Sequence, residues 1–234
     1  MADVGALDRK RSARTAGEDR ARRSLRIAGW AGIAGPVLFT LAFLLLEQLT
    51  RDDFDPVRLP VSALEAGRYG WVQQVSFAGF GLLTMGFAVG IHRGLRKARL
   101  GLAGPILFGV SGVAALAACA FPLRLDAAGQ VYDPGGHSIA GFAFFLTSAL
   151  ALVVVSRRIA VDPAWSGLAG WTLAAGVACL VGFVLMGSLA IPDGAPLHDW
   201  AGLGQRAIIL LALFPARVAL SMRLLKVVRS GDVD

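Results

Sequence analysis

Charged residues are scarce in this sequence. Asp, Glu, Lys and Arg together make up 17% of its 234 residues, whereas soluble domains carry roughly 25%. Hydrophobic residues make up 56% of the chain, and the mean hydropathy is +0.63. So little charge beside so much apolar surface excludes an ordinary soluble domain and favours a membrane protein.

Cysteine is also scarce, and catalytic motifs are missing. The two cysteines, Cys119 and Cys179, lie inside apolar stretches, which excludes a disulfide-stapled secreted domain. The sequence has no His-x-x-x-His or Cys-x-x-Cys spacing, no phosphate-binding loop, no dinucleotide-binding glycine fingerprint and no Gly-x-Ser-x-Gly motif. The motifs therefore predict no cofactor.

What the chain has instead is six long apolar segments. A helix needs about 20 apolar residues to cross the hydrocarbon core of a bilayer, and each segment reaches that length within a few residues. The sequence therefore predicts an all-α, polytopic membrane bundle of six transmembrane helices. The predicted spans are 25–48, 71–92, 100–121, 137–156, 167–191 and 203–223.

The basic residues predict the orientation of these spans. With the N-terminus placed in the cytoplasm, 18 of the 23 Lys and Arg residues fall on the cytoplasmic side, which is the positive-inside pattern. We therefore predict a multi-pass membrane protein with both termini in the cytoplasm. The basicity suits the anionic lipids of the inner leaflet and needs no nucleic acid. The cytoplasmic basic residues are Arg9, Lys10, Arg11, Arg14, Arg20, Arg22, Arg23, Arg26, Arg93, Arg96, Lys97, Arg99, Arg157, Arg158, Arg217, Arg223, Lys226 and Arg229.

Composition also divides the chain into three parts. Residues 1–24 are polar and arginine-rich, so they predict a disordered basic cytoplasmic tail rather than a cleavable signal peptide. Residues 25–226 form the predicted six-helix transmembrane domain. Residues 227–234 form a short cytoplasmic C-terminal tail.

Short internal sequence repeats predict three repeated helical hairpins. Residues 32–39 read GIAGPVLF, residues 101–108 read GLAGPILF, and residues 167–170 begin a third copy, GLAG. An Ala-Gly step recurs at Gly79, Gly141 and Gly202 in the second span of each pair. The hairpins would cover residues 25–92, 100–157 and 165–226, with the three glycines at matching close helix contacts. The alternative is that small residues recur wherever membrane helices pack closely.

Polar residues at the predicted outer ends of the spans are the candidate site, because such groups are costly near hydrocarbon. His137 and His198 both stand two residues before an apolar-Ala-Gly step, which predicts equal depth on two helices. With Asp126, or with Asp133 or Asp193 nearby, they could bind a divalent metal. Haem between the two histidines and a hydrogen-bonded polar cap without cofactor are the alternatives. The candidate residues are Glu47, Asp126, His137, His198, Asp199 and Arg206.

Arg206 is the most demanding of these residues. It lies six positions beyond Trp200, which is roughly 9 Å further along a helix at about 1.5 Å per residue. An unpaired guanidinium at that depth costs at least about 2.5–3.5 kcal/mol. We therefore expect a carboxylate partner, either Glu47 or Asp126. The alternative is an arginine whose head reaches the lipid headgroups.

Several stretches resemble the bacterial membrane family catalogued as domain of unknown function 998. They are the loop DFDPVRLPVSAL at 53–64, the helix start GWVQ at 70–73, Phe121-Pro122, His137, and Gly204-Gln205-Arg206. The resemblance covers about residues 25–226 and implies six helices in a bacterial plasma membrane, without an agreed activity. Gln205 departs from the Glu-Arg pair that the family tends to carry.

Three functions remain open at this level. The leading hypothesis is a membrane protein whose outer-facing polar cavity binds a small ligand or a lipid. The first alternative is a membrane-embedded hydrolase that uses metal or acid–base chemistry at the outer face. The second alternative is a membrane scaffold or regulator that acts through its basic tail. Oligomeric state cannot be predicted from these residues.

Overall fold

The fold is a bundle of helices joined by short connections. A computed structural model describes residues 4–50, 52, 54–95, 101–192 and 194–230. Six of its helical stretches are long and apolar enough to cross a membrane, which confirms the predicted all-α class and number of spans. The helices are α1 (Val4–Leu49), α2 (Gly70–Gly94), α3 (Ala103–Ala120), α4 (His137–Ile159), α5 (Ala169–Leu189), and a last span made of α6 (Ala201–Ala207), a π-helical segment (Ile208–Leu213) and α7 (Phe214–Ser230).

The first helix is longer than the sequence indicates. It begins at Val4, so residues 4–24, which were expected to form a disordered tail, are helical and continuous with the first span. Arg and Ala are the most frequent residues of this stretch, and both are strong helix formers. A transmembrane helix directly after them supplies the nucleus from which such a segment extends.

The spans form a closed ring in chain order. Each helix packs against the next from α1 to α5, α5 packs against the π-helical segment, and α7 packs against α1. An even number of crossings places both termini at one end of the bundle, which we call the tail end. The other end, the cap end, carries the α1–α2, α3–α4 and α5–α6 connections and is the end predicted to face outward. The α3–α4 connection includes a short antiparallel hairpin of two strands, β1 (Arg124–Leu125) and β2 (Val131–Tyr132).

Proline has different consequences in the three spans that contain it. Pro36 lies inside α1 and leaves the carbonyl of Gly32 without its helical donor. Pro215 follows the π-helical segment of the last span. A π-helical turn is a common way for a helix to accommodate an interrupted series of backbone hydrogen bonds. Pro105 instead lies in the first turn of α3, where no amide hydrogen is needed, so it favours a helix start.

Aromatic rings fill the middle of the bundle. Phe80 lies 5.1 Å from Phe39 and 5.4 Å from Phe214, measured between ring centroids, so α1, α2 and α7 meet in one aromatic cluster. The outward faces carry large apolar side chains instead. These exposed side chains include Leu41, Val75, Leu82, Val113 and Leu211, and in a bundle of this kind lipid hydrocarbon covers them.

The expected close helix contacts were wrong at all three glycines. A Cβ built on Gly79 or Gly141 would meet nothing within 4 Å, whereas a Cβ on Gly202 would lie 2.4 Å from the carbonyl oxygen of Leu59. Gly202 therefore permits a close approach of the α1–α2 connection, and not of a neighbouring helix. Superposition of the three hairpins stays a prediction.

Replacing Gly202 by alanine should destabilise the protein by about 1–3 kcal/mol, the usual cost of an overpacked contact. The new methyl group would strike two carbonyl oxygens, those of Leu59 and Pro56, at 2.4 and 2.5 Å. Thermal unfolding of the purified protein in detergent measures the effect. Gly141→Ala is the matched control and should be neutral or slightly stabilising, since alanine is the better helix former. Equal unfolding temperatures for the two variants would contradict the assignment.

Candidate functional site

The connection between α1 and α2 folds back onto the cap end of the bundle. We call residues 50–69 the cap loop. Its centre is a 3₁₀ helix, Val61–Ala66, whose Val61 and Leu64 side chains are buried with the bundle core. The turn before it begins at Asp55, whose carboxylate accepts the amide hydrogen of Val57 at 2.9 Å. Local turn chemistry thus directs the chain inward, and burial of the two apolar side chains keeps it there.

The start of the last span holds the cap loop in place. The amides of Gly202 and Leu203 donate to the carbonyls of Arg58 and Val57 at 3.2 and 2.9 Å. These belong to the first amides of a helix, which have no partner within the helix. The side-chain oxygen of Gln205 accepts the amide hydrogen of Val61 at 2.7 Å. The residue that departs from the family's pattern is therefore an acceptor for the cap loop.

Arg206 pairs with Glu47, which is one of its two predicted partners. Its Nε and Nη2 atoms lie 2.9 and 2.5 Å from Oε1 of Glu47. Its Nη1 donates to the carbonyls of Leu59 and Gly202, both at 2.9 Å. Only 8% of Arg206 is exposed, so the alternative of a lipid-facing arginine is wrong. One guanidinium thus ties α1, the cap loop and α6 together.

A second buried pair joins the cap loop to α4. Nδ1 of His137 lies 3.1 Å from Oε2 of Glu65 and 3.1 Å from the carbonyl oxygen of Phe121. Both oxygens are acceptors, so Nδ1 must carry the hydrogen. The amide of Leu123 also donates to Oε2 of Glu65, at 3.3 Å. The Glu65 side chain has no exposed surface, and the pair can share one proton out of contact with bulk water.

Glu65 is a site residue that the sequence reasoning missed. It stands one residue after Leu64, in a connection where acidic residues are usually solvated. The signal that could have found it is helical spacing within the loop, because Val61, Leu64 and Glu65 lie on one face of a short helix.

Asp133 fixes the first turn of α4 and therefore the position of His137. One of its oxygens accepts the amides of Gly135 and His137, at 2.9 and 3.3 Å, and the other accepts the amide of Ser138 at 2.7 Å. Partial burial raises the pKa of Asp133, but hydrogen bonds from Ser138, Gly135 and His137 outweigh it and lower the pKa to about 2. The carboxylate is therefore ionised at neutral pH, and this stabilisation is lost only as the pH falls towards 2.

Two buried groups near this pair have unused hydrogen-bonding capacity. Oε1 of Glu65 and both polar atoms of the Gln73 side chain have no hydrogen-bond partner among the described residues. Gln73 is fully buried near the start of α2. Together with the two ion pairs, these groups form a polar layer beneath the cap loop, made mostly of side chains closed off from solvent.

The other predicted site residues lie apart from this layer. Asp126 is exposed and accepts two amides of its own turn, those of Ala128 and Gln130, both at 2.8 Å. Asp199 is 78% exposed and lies 3.3 Å from Nε of Arg58. His198 is half-buried, and its Nδ1 lies 3.2 Å from the carbonyl oxygen of Ala190. Asp193 falls outside the described residues.

The candidate metal site on His137, His198 and Asp126 is therefore not assembled among the described residues. The described residues contain no group of three or more His, Cys, Asp or Glu side chains that could hold a metal ion. The two histidines contact different residues, since His137 reaches Glu65 and Phe121 while His198 reaches back to its own connection. Similar local sequence did not give the two rings the same surroundings, because His137 meets a carboxylate of the cap loop whereas His198 meets a carbonyl of its own connection.

An open groove runs beside the polar layer. It lies between the cap-end halves of α5 and α6, has a volume of about 380 Å³, and is lined by apolar residues. Gly202 and Arg206 take the buried face of α6, while Leu203 and Ala207, each one position further, line the groove. One helix thus separates the Arg206–Glu47 pair from the groove. The lining includes Gly182, Met186, Leu197, Trp200, Gly204 and Ile208.

One comparison with known proteins gives a match. The family described as "Protein of unknown function (DUF998)" matches residues 33–221, which is most of the chain. The match spans all six transmembrane helices in whole or in part, the cap loop and both buried pairs. No curated protein and no solved structure matches the chain.

Proposed function

We propose that this chain, which belongs to the DUF998 family, is a membrane protein that binds an amphiphilic lipid at its cap end, with one acyl chain in the groove between α5 and α6. The observation that carries the proposal is the groove itself, about 380 Å³ and apolar. That volume falls in the range of about 300–1,000 Å³ typical of ligand sites.

The position of the groove supports hydrocarbon as its occupant. Val181 and Leu185 on α5 and Leu203 and Leu211 on the last span are all exposed, so this side of the bundle meets the bilayer. A groove that opens sideways into hydrocarbon is filled most easily by an acyl chain. Small residues make the room, since Gly182, Ala190, Gly204 and Ala207 are all in the lining.

Polar groups at the end of the groove suit a lipid headgroup. Trp200 lines the groove and is 56% exposed, and indole rings favour the level of the headgroups. The adjoining His198 is half-buried, and the exposed Arg58–Asp199 pair follows on the surface. An amphiphile would thus place its tail along α5 and α6 and its head beside these groups, in the leaflet predicted to be the outer one.

Filling the groove should remove the lipid. A Cβ on Gly204 would lie 3.7 Å from Met186, so Gly204→Phe can be accommodated while its ring occupies the groove. We expect photolabelling by a phospholipid with a diazirine-bearing acyl chain, in nanodiscs, to concentrate on α5 and α6. Gly204→Phe should reduce that labelling several-fold, as measured by peptide mass spectrometry.

Gly187→Phe is the matched control. Gly187 is on α5 outside the groove lining, and a Cβ there would meet nothing within 4 Å. Its phenylalanine should leave the labelling of the groove unchanged. Labelling spread evenly over all exposed spans, or unaffected by Gly204→Phe, would contradict the proposal.

Each of the two alternative functions rests on fewer observations. The hydrolase hypothesis now rests on acid–base chemistry of Glu65 and His137, which are both buried beneath the cap loop. The scaffold hypothesis rests on the basic N-terminal segment. Cytoplasmic termini stay a prediction from the charge distribution, and a plasma-membrane location stays what the family resemblance implies.

A further inference from the structure

A second buried arginine lies deeper in the bundle and is not part of the cap. Arg217, on α7, is 2% exposed, although its charge had placed it among the cytoplasmic residues. Apolar residues flank it on both sides in the sequence, from Leu213 to Ala216 and from Val218 to Leu220. The guanidinium thus lies within the bundle, between α1, α2 and α7.

The contacts of Arg217 leave much of its hydrogen-bonding capacity unused. Nη1 donates to Oγ1 of Thr84 at 2.6 Å, and that hydroxyl in turn donates to the carbonyl of Phe80 at 2.6 Å. Nε and Nη2 are buried and have no hydrogen-bond partner among the described residues. A Cβ on Gly35 would lie 2.9 Å from Nη2, so the unpaired side of the guanidinium faces α1.

No described carboxylate compensates the charge of Arg217. The buried acids among the described residues have partners of their own, since Glu47 pairs with Arg206 and Glu65 pairs with His137. Asp162, in the α4–α5 connection, accepts the amide hydrogen of Ala164. The faces of the Phe80 and Phe87 rings lie 4.8 and 5.2 Å from the guanidinium carbon, and such contacts offset part of a buried charge. Arginine does not lose its proton in proteins. A full positive charge with two unpaired donor nitrogens, Nε and Nη2, therefore remains inside the bundle.

We propose that Arg217 anchors a binding site for a small monovalent anion between α1, α2 and α7. A monovalent anion would neutralise the guanidinium. It would also accept hydrogen bonds from Nε and Nη2, which have no partner among the described residues. The surroundings are Gly35, Leu83 and two phenylalanine rings. Such an apolar site favours weakly hydrated anions such as bromide or nitrate over sulfate or phosphate, because dehydration of the latter costs more.

This site is independent of the lipid groove. Arg217 packs towards α1 and α2, whereas the groove is lined by α5, the α5–α6 connection and the last span up to Ile208. Loss of lipid labelling and loss of anion binding are therefore separate results, and either proposal can fail alone.

The test uses the purified full-length protein in detergent, with sodium bromide replacing sodium gluconate at constant ionic strength. The unfolding temperature should rise and saturate with bromide, since a ligand that binds only the folded state stabilises it. Arg217→Gln should raise the half-saturating bromide concentration at least about tenfold, because hydrogen bonds to charged groups are strong. Arg93→Gln removes an exposed arginine from α2 and should behave like the wild type.

A second pair of variants keeps the test decisive if Arg217→Gln does not fold. Gly35→Ala retains the charge but places a methyl group against Nη2, so half-saturation should also shift to higher bromide. Gly86→Ala, whose Cβ would meet only Ala31 at 3.6 Å, should not shift it. The proposal is overturned if the wild type shows no saturable bromide effect, or if Arg217→Gln or Gly35→Ala leaves it unchanged. It is also overturned if a phospholipid co-purifies with the wild type and is lost from Arg217→Gln.

Discussion

Replacing Arg206 by alanine should destabilise the protein by about 3–5 kcal/mol, the usual effect of removing one partner of a buried ion pair. The variant would leave the Glu47 carboxylate and the carbonyls of Leu59 and Gly202 without the donors they have now. Arg206→Lys should cost less, because it keeps the charge but cannot reach all three acceptors. Thermal unfolding in detergent and proteolysis of the cap loop report the loss.

The exposed pair in the same cap is the matched control. Arg58 and Asp199 are 57% and 78% exposed, and surface pairs of this kind contribute about 0–1 kcal/mol. Arg58→Ala should therefore have little effect. The double variant Glu47→Gln with Arg206→Ala should be less destabilised than the sum of the two single changes, since the residues interact directly. Additive effects, or equal unfolding of Arg206→Ala and wild type, would remove the pair from its assigned role.

His137→Ala should be the second severe change, again by about 3–5 kcal/mol. It removes the hydrogen that Nδ1 provides to Oε2 of Glu65 and leaves the carboxylate with the single amide of Leu123. Combining it with Glu65→Gln should restore part of the stability, because the amide side chain carries no charge to bury. Urea or thermal unfolding of the single and double variants in detergent provides the comparison.

His198→Ala serves as the histidine control. Its ring is half-buried, and its Nδ1 contacts the carbonyl of Ala190, so its loss should cost about 0.5–1.5 kcal/mol. Comparable losses for both histidines, with no rescue of His137→Ala by Glu65→Gln, would mean that they are equivalent after all. That result would favour the repeat hypothesis over the asymmetric cap described here.

The family resemblance and the structure cover the same part of the chain, but only the structure gives Gln205 a role. The family match over residues 33–221 includes the cap loop and Gln205, a departure that the resemblance could only note. In the structure Gln205 accepts the amide hydrogen of Val61. A glutamate could accept the same hydrogen and would add a negative charge beside Arg206.

The number of spans, the ends of the four middle spans to within a few residues, and the need for a partner to Arg206 followed from the sequence by itself. Hydrophobic length determines whether a helix can cross a bilayer, and that is a local property of the chain. The cost of a charge near hydrocarbon is likewise set by its depth along one helix. Glu47 could therefore be named in advance as one of two candidate partners, without knowledge of the neighbouring helices.

The tertiary structure alone decided which polar groups meet. Glu65 is a site residue because its loop folds back against α4, Arg217 is buried because α7 packs against α1, and His198 is not in the site because its connection stays at the rim. Gly79 and Gly141 share a sequence context with Gly202, yet only Gly202 meets a backbone. Such contacts join residues far apart in the chain, so they depend on how faces of different helices are paired, and no single segment encodes that pairing.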